Sequence, residues 1–294
     1  MTPKTCSYDC IYCQLGRTTD LTAQRGVHVP VDDLLSELRD HLASAPDYIT
    51  LGGSGEPTLH ADIGAIIDGI RSLTDIPVAV ITNGSLLWQD AVRQQLAAAH
   101  LVVPSLDAGD DKTFQAINRP HPDITWERMI SGLREFRAVY AGRIWLEVML
   151  VAGINSHLES VQAIAAAARS CRPDKIQLNT VERPSLAGKA LRVDRGTLNK
   201  LRHLFTPCAE VISDQGVSEW MDGADPGLDL LAMIRRRPCS LEEIARAAGM
   251  HPHEAAKHLG RLEHHGLIAV LPKERQTFYT AAAKAAHPKH LEYP

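Results

Sequence analysis

Residues Thr5–Gly16 read TCSYDCIYCQLG, which places three of the chain's six cysteines, Cys6, Cys10 and Cys13, within eight positions. Three thiols this close, with no fourth beside them, admit few chemistries. A structural zinc site wants four protein ligands in closed tetrahedral geometry, usually as two paired knuckles. Here Cys171, Cys208 and Cys239 stand alone, and His28 or His60 would have to be recruited across the fold. A four-iron, four-sulfur cubane held by three cysteines instead leaves one iron with an open coordination position, where a small molecule can bind. Both readings are carried forward from the cysteines alone.

Outward from this loop, the chain of 294 residues is 45% hydrophobic and 22% charged, enough for a full core in one large domain with a small one beside it. Met1-Thr2-Pro3-Lys4 is no apolar signal region, and no later apolar run is long enough to span a bilayer. The expectation is a cytoplasmic protein without a membrane partner, its scattered cysteines kept reduced and available for metal. Charge is uneven. Residues 1–226 hold 21 Lys and Arg against 28 Asp and Glu, a net of −7, and residues 227–294 hold 10 against 7, a net of +3. The sign changes across DQGVSEWMDGADPG (Asp214–Gly227), whose Gly, Asp and Pro content reads as a linker. The expected division is a first domain over 1–213, a linker over 214–226, a second domain over 227–281 and a tail over 282–294.

In the first domain, amphipathic stretches alternate with short β-branched runs. Leu34, Leu35 and Leu38 recur at helical spacing within Val29–Ser44, and DYITLGG (Asp47–Gly53) then reads as a buried strand. The rhythm continues with strands PVAVITNG (Pro77–Gly84), HLVVPSLD (His100–Asp107), RIWLEVMLV (Arg143–Val151) and KIQLNT (Lys175–Thr180). Helices precede them over about Ala61–Leu73, Trp88–Ala99, Thr125–Tyr140 and Leu158–Arg169. Such alternation means βαβ units, hence a parallel sheet with right-handed crossovers. Each strand ends in small or polar residues: Ser54-Gly55-Glu56, Thr82-Asn83-Gly84, Ser105 with Asp107, Glu147, and Gln177 with Asn179. In a parallel barrel the carboxyl ends of the strands form the active-site rim, so these residues should surround one cavity. Taken singly, an Asn-Gly after a strand is a turn and a Gly-rich strand end a tight connection. Recurrence on five strands favours the site.

The spacing Cys6-x3-Cys10-x2-Cys13, with aromatic Tyr12 before the last cysteine, resembles the signature of the radical S-adenosylmethionine (SAM) superfamily. GGSGEPTL (Gly52–Leu59) is similar to that superfamily's Gly-Gly-Glu-Pro segment, with Ser54 in the first glycine's place. ITNGSLL (Ile81–Leu87), PSLDAGDDKTFQAINRPH (Pro104–His121), LEVMLVAGIN (Leu146–Asn155) and KIQLNTVERP (Lys175–Pro184) resemble segments of its wyosine-synthase-like subgroup. The resemblance implies an α/β fold, a partial (βα)6 TIM-like barrel whose first strand is missing or shortened, since five residues precede Cys6. It implies Cys6, Cys10 and Cys13 as ligands of a 4Fe-4S cluster, and SAM as the second cofactor. Backbone carbonyls around Ser54, Gly55 and Glu56 would hold its methionyl amino group and Tyr12 its adenine. Asn83, Ser105, Asp107, Gln177 and Asn179 would stand at its ribose or carboxylate. An electron donor such as a flavodoxin or ferredoxin is the implied partner.

The C-terminal stretch has another rhythm. In GLDLLAMIRRRPCSLEEIARAAGMHPHEAAKHLGRLEHHGLIAVLPKERQTFYTA (Gly227–Ala281), one helix ends at Pro238 and Ser240 with Glu243 forms a capping box for the next. Gly249 turns the chain into a third helix over about Pro252–His265, and LIAVL and TFYTA form strands around PKERQ. Three helices and a β-ribbon make a winged helix-turn-helix domain. Ala255, Leu259 and Leu262 should be buried, leaving Lys257, His258 and Arg261 outward and Lys273 and Arg275 in the wing, where they could meet nucleic acid. A net of +3, with Glu254 and Glu263 on the same helix, argues against strong nonspecific binding, and winged helices also dock proteins. The leading reading is an enzyme that cleaves SAM reductively and takes a hydrogen atom from an RNA base or a small molecule. The alternatives are an iron–sulfur-dependent DNA-binding transcription regulator and a zinc-stabilised nucleic-acid-binding protein.

Overall fold

The computed structural model describes residues 4–42, 46–181, 190–212, 230–248, 252–273 and 276–282. Its frame is a six-stranded parallel sheet, β3 (Ile49–Leu51), β4 (Val78–Thr82), β5 (Leu101–Pro104), β6 (Arg143–Leu150), β7 (Lys175–Thr180) and β8 (Glu210–Val211), hydrogen-bonded in that order. Sequential parallel strands need crossovers, and helices supply them: α2 (Ile63–Leu73), α3 (Asp90–Leu96), α4 (Asp111–Ile117), α5 (Trp126–Val139), α6 (Leu158–Cys171) and α7 (Arg195–Leu201). α1 (Val31–His41) precedes the sheet. Among the described residues the sheet runs from β3 to β8, and the architecture is a partial (βα)6 barrel with its helices against one face.

The alternation along β6 and β7 shows how the sequence sorts the two faces. Ile144, Leu146, Val148 and Leu150 are buried, as are Ile176, Leu178 and Thr180, against residues of α5 and α6 such as Leu133, Phe136 and Ile164. The residues between them, Trp145, Glu147, Met149, Lys175, Gln177 and Asn179, are half-buried on the opposite face. α2 turns Ile63, Ile66, Ile67 and Ile70 inward at helical spacing, each burial worth about 1.5–3 kcal/mol. Asp110 caps α4 through Thr113 N at 2.9 Å, and Thr125 caps α5 through Arg128 N at 3.2 Å.

Among the described residues no strand ahead of the cysteines joins the main sheet, and the short β1 (Thr5–Cys6) belongs to a separate sheet of two. It pairs in parallel with β2 (Asp20–Leu21), and the carbonyl of Thr5 accepts from Glu56 N at 3.1 Å. The sixth strand of the main sheet therefore lies at the other end, in β8, which hydropathy did not reveal because two residues carry no period. α4 and α7 were likewise not expected. The expected linker over 214–226 and the tail from residue 283 lie outside the described residues.

The C-terminal unit has its own core of Leu231, Ile234, Cys239, Ile244, Ala255, Leu259 and Ile268. It comprises α8 (Leu230–Arg236), β9 (Cys239–Ser240), α9 (Leu241–Ala247), α10 (Pro252–His264), β10 (Ile268–Lys273) and β11 (Gln276–Ala281). Ser240 and Glu243 form the capping box in both directions. The wing holds three strands rather than two, because β9 pairs antiparallel with β11.

Candidate active site

The cysteine loop is built from its surroundings inward. Between Cys6 and Cys13 the backbone is tied to the segment after α4: Asp9 N donates to the carbonyls of Asn118 and Arg119, both at 3.1 Å, Ile11 N to Ile117 at 3.0 Å, and His121 N to Ser7 at 2.8 Å. Arg119 takes φ of +46° in this clamp, a backbone that non-glycine residues seldom adopt, and its side chain is exposed. The segment Asn118–His121 thus acts as the loop's seat.

Each thiol has its own N–H donor. Cys6 is buried and receives Tyr8 N at 3.5 Å and Asn83 Nδ2 at 3.6 Å. Cys10 receives Asn118 Nδ2 at 3.5 Å, and Cys13 receives Lys4 Nζ at 3.0 Å. None of the three is joined in a disulfide. Burial, then the negative charge of Glu56, pushes Cys6 up to about 11; burial and Asp107 hold Cys10 well above the usual thiol range. Such thiols keep their protons until a metal centre displaces them. Among the described residues no three His, Cys, Asp or Glu side chains converge on the single point that a lone metal ion needs. Three soft sulfur donors in one loop suit an iron–sulfur cluster. The hydroxyl of Tyr8 is buried with no hydrogen-bond partner, near Cys10, Glu56, Asp107 and Cys6. A cluster with bridging sulfides would give that donor an acceptor, so the residues fit the group.

Two buried carboxylates lock the strand ends to this loop. Glu56 Oε1 accepts from Thr58 N at 2.9 Å, Thr58 Oγ1 at 2.6 Å and Thr82 Oγ1 at 2.5 Å, while its Oε2 accepts from Asn83 N at 2.7 Å. Burial raises its pKa although these donors pull the other way. Asp107 accepts from Tyr12 Oη at 2.5 Å, Asn118 Nδ2 at 2.7 Å and Met149 N at 2.9 Å, and burial pushes it up to about 6. Both acids are therefore anchors whose oxygens already have partners. Asn83 links the loop to β4 through Nδ2, which donates to Ser7 Oγ at 2.9 Å.

Other expected site residues remain accessible. Gly52, Gly53 and Ser54 are exposed, whereas Gly55 lies against β1 so closely that a Cβ there would sit 1.8 Å from the Thr5 carbonyl oxygen. Ser105 bridges to Glu147, and Asn179 Nδ2 donates to Glu147 Oε1 at 3.0 Å. Gln177 shares that half-buried face, which continues to Lys175, paired with Glu210 at 2.8 Å and lying 4.6 Å from the centre of the Trp145 ring. Tyr12 packs beside Ile11, Ile117, Val151 and Val181. Sequence reasoning did not find Lys4, Tyr8, Thr58 or Asn118, whereas Thr82 stood among the expected strand-end residues and here donates to Glu56.

On α10, Ala255 and Leu259 are buried and His258 is half-buried rather than fully outward. The side chains of Lys257, Arg261 and Lys273, and the whole of Arg275, lie outside what the structure describes. Cys171 and Cys239 are buried, and Cys208 is exposed, 3.7 Å from His203 Nδ1.

A partial parallel barrel with a three-cysteine loop and a glycine-rich segment at the carboxyl ends of its strands defines a class, and comparison with known proteins identifies it. The model of the radical SAM superfamily matches residues 2–164, more than half of the chain, which therefore belongs to that superfamily. A helix-turn-helix model matches residues 228–270. The chain is 30% identical to a UPF0026 protein of Helicobacter pylori (strain 26695), covering 95% of this chain and 90% of that one. It is 35% identical to the UPF0026 protein MJ1312 of Methanocaldococcus jannaschii over 62% of this chain and 57% of that one. It is 39% identical to a protein named GTPase Obg of Brachyspira hyodysenteriae over 82% of this chain, but spans 36% of that protein. In fold it is similar to Streptococcus suis SuiB bound to S-adenosylmethionine, with a TM-score of 0.53 at 19% identity over 68% of this chain and 44% of that one. A radical SAM methyltransferase from Sphaerobacter thermophilus gives 0.53 at 18% identity over 73% and 66%. Members of the radical SAM superfamily are enzymes that bind a 4Fe-4S cluster and SAM and require a reductant. No helix among the described residues is long and apolar enough to cross a membrane.

Proposed function

We propose that this chain abstracts a hydrogen atom from an RNA base or a polar small molecule held over the half-exposed face of β6 and β7. Cluster and SAM, when bound and reduced, supply the 5′-deoxyadenosyl radical for that step. The chain's own residues bind and orient. Cys6, Cys10 and Cys13 would hold the cluster, and the exposed peptides of Gly52–Ser54, set beside β1 by the Gly55–Thr5 contact, would hold the methionyl amino group. Glu56 and Asp107 act from behind, fixing Asn83 and Tyr12, while Ser105, Gln177 and Asn179 offer hydrogen bonds to ribose or substrate. The carrying observation is the knot in which Asn83 hydrogen-bonds Ser7 of the cysteine loop and Glu56 of the glycine-rich segment.

Substrate chemistry follows from the same face. Glu147, Gln177 and Asn179 present donors and acceptors together, which suits a heterocyclic base or a hydroxylated molecule better than a hydrocarbon. The narrower likeness to the wyosine-synthase-like subgroup, the domain boundaries at 213 and 227, a cytoplasmic location, a flavodoxin or ferredoxin as reductant, and nucleic-acid contact through the winged helix belong to this proposal. The transcription-regulator reading has no use for a strand-end cradle of this kind. The test is to supply the reduced, reconstituted protein and SAM with either fractionated RNA or a small-metabolite pool and to measure 5′-deoxyadenosine. Stimulation above the SAM-only level in one arm is the expected result and assigns the substrate class. Stimulation in neither contradicts the substrate reading.

A further inference from the structure

Lys4 has a feature that ligation by the cysteines does not require. Its residue is 5% exposed, yet it ends in an ammonium. Nζ donates to Cys13 Sγ at 3.0 Å and to the Gly16 carbonyl at 3.0 Å. A cation out of water is costly unless charge or strong acceptors face it, and a neutral thiol is a weak acceptor whereas a metal-bound thiolate is a strong one. The position is also built. The Lys4 backbone is held from both sides, its N–H donating to Thr19 Oγ1 at 2.7 Å and its carbonyl accepting from Thr19 N and Asp20 N at 3.1 Å. Gly16, with φ of +86° and its N–H on the Cys13 carbonyl at 3.2 Å, turns its own carbonyl to the ammonium. The other cations near the loop are differently placed: Arg17 is largely exposed and paired with Asp9, and the Arg119 side chain is exposed.

We infer that Lys4 is a positioning residue that serves as fixed counter-charge to the cluster, donating to the Cys13 sulfur and raising the potential at which the cluster accepts its electron. This rests on the reading that Cys6, Cys10 and Cys13 hold a cluster. A positive charge beside one thiolate favours the reduced state, which carries one more negative charge, and burial preserves the effect against screening by salt. Lysine suits the task as a compact point charge.

The test is a spectroscopic redox titration of the reconstituted full chain, with iron and sulfide counted first. Wild-type protein that holds no cluster fails the underlying reading and is recognised before any variant is made. With a cluster present, Lys4→Met is expected to titrate at a more negative potential than wild type, and Lys4→Arg, which keeps the charge, close to wild type. A fully loaded Lys4→Met protein with an unchanged potential overturns the inference. Should Lys4→Met not assemble a cluster, Lys4→Arg decides: a loaded Arg variant near the wild-type potential supports a need for charge, whereas loss of the cluster in both overturns it in favour of shape.

Discussion

Asp107 shows how one side chain holds several segments of this site in place. Its carboxylate receives the Tyr12 hydroxyl from the cysteine loop, the Asn118 amide from the seat of that loop and the Met149 N–H from β6. Asp107→Ala strands these donors in a buried place, and each costs about 1–3 kcal/mol when left unsatisfied. The expected loss is about 3 kcal/mol or more, read as a lower urea midpoint, with less iron retained per chain. A variant of wild-type midpoint and iron content contradicts the anchoring role. The same residue marks what a sequence exposes. Cys6, Cys10 and Cys13 were legible because their spacing is local, and Asp107 stood out at a strand end. That its oxygens turn to Tyr12, 95 positions away, and not outward, was not legible, because no periodicity records a tertiary pairing. Asn118 reaches Cys10 across 108 positions for the same reason.

Between elements, the junction of β1 with the segment after β3 depends on backbone approaching backbone. A Cβ on Gly55 would lie 1.8 Å from the Thr5 carbonyl oxygen and 2.8 Å from its carbon, and no rotamer relieves a clash with main chain. Gly55→Ala is therefore expected to part β1 from Glu56, accelerating hydrogen exchange at the Glu56 amide and lowering iron per chain on reconstitution. Gly53→Ala, with nothing within 4 Å of the added methyl, should leave both unchanged. Equal behaviour of the two variants contradicts the junction. The long elements were readable because their periods are: α5 and α6 show helical spacing, and β6 alternates over eight residues. β8 has two residues, and α4 offers Phe114 and Ile117 as its buried residues within a polar run, announced chiefly by Asp110 as its cap.

At the scale of the whole chain, the C-terminal unit has a hydrophobic core of its own, and the helix-turn-helix model matches residues 228–270. Class was legible, since a cysteine triplet and a βα rhythm are both local patterns that together specify one architecture. Substrate was not, since it depends on which side chains the half-exposed face of the sheet presents, and fold alone does not determine it. The central claim is that the three-cysteine loop and the strand-end cradle act as one site. Its most direct test is anaerobic reconstitution of the chain with iron and sulfide, followed by reduction, addition of SAM, and measurement of the cluster's paramagnetic spectrum together with 5′-deoxyadenosine. The account predicts a spectrum altered by SAM and 5′-deoxyadenosine formation that is lost in Cys10→Ala. A full cluster whose spectrum SAM does not alter, with SAM left intact, would contradict it.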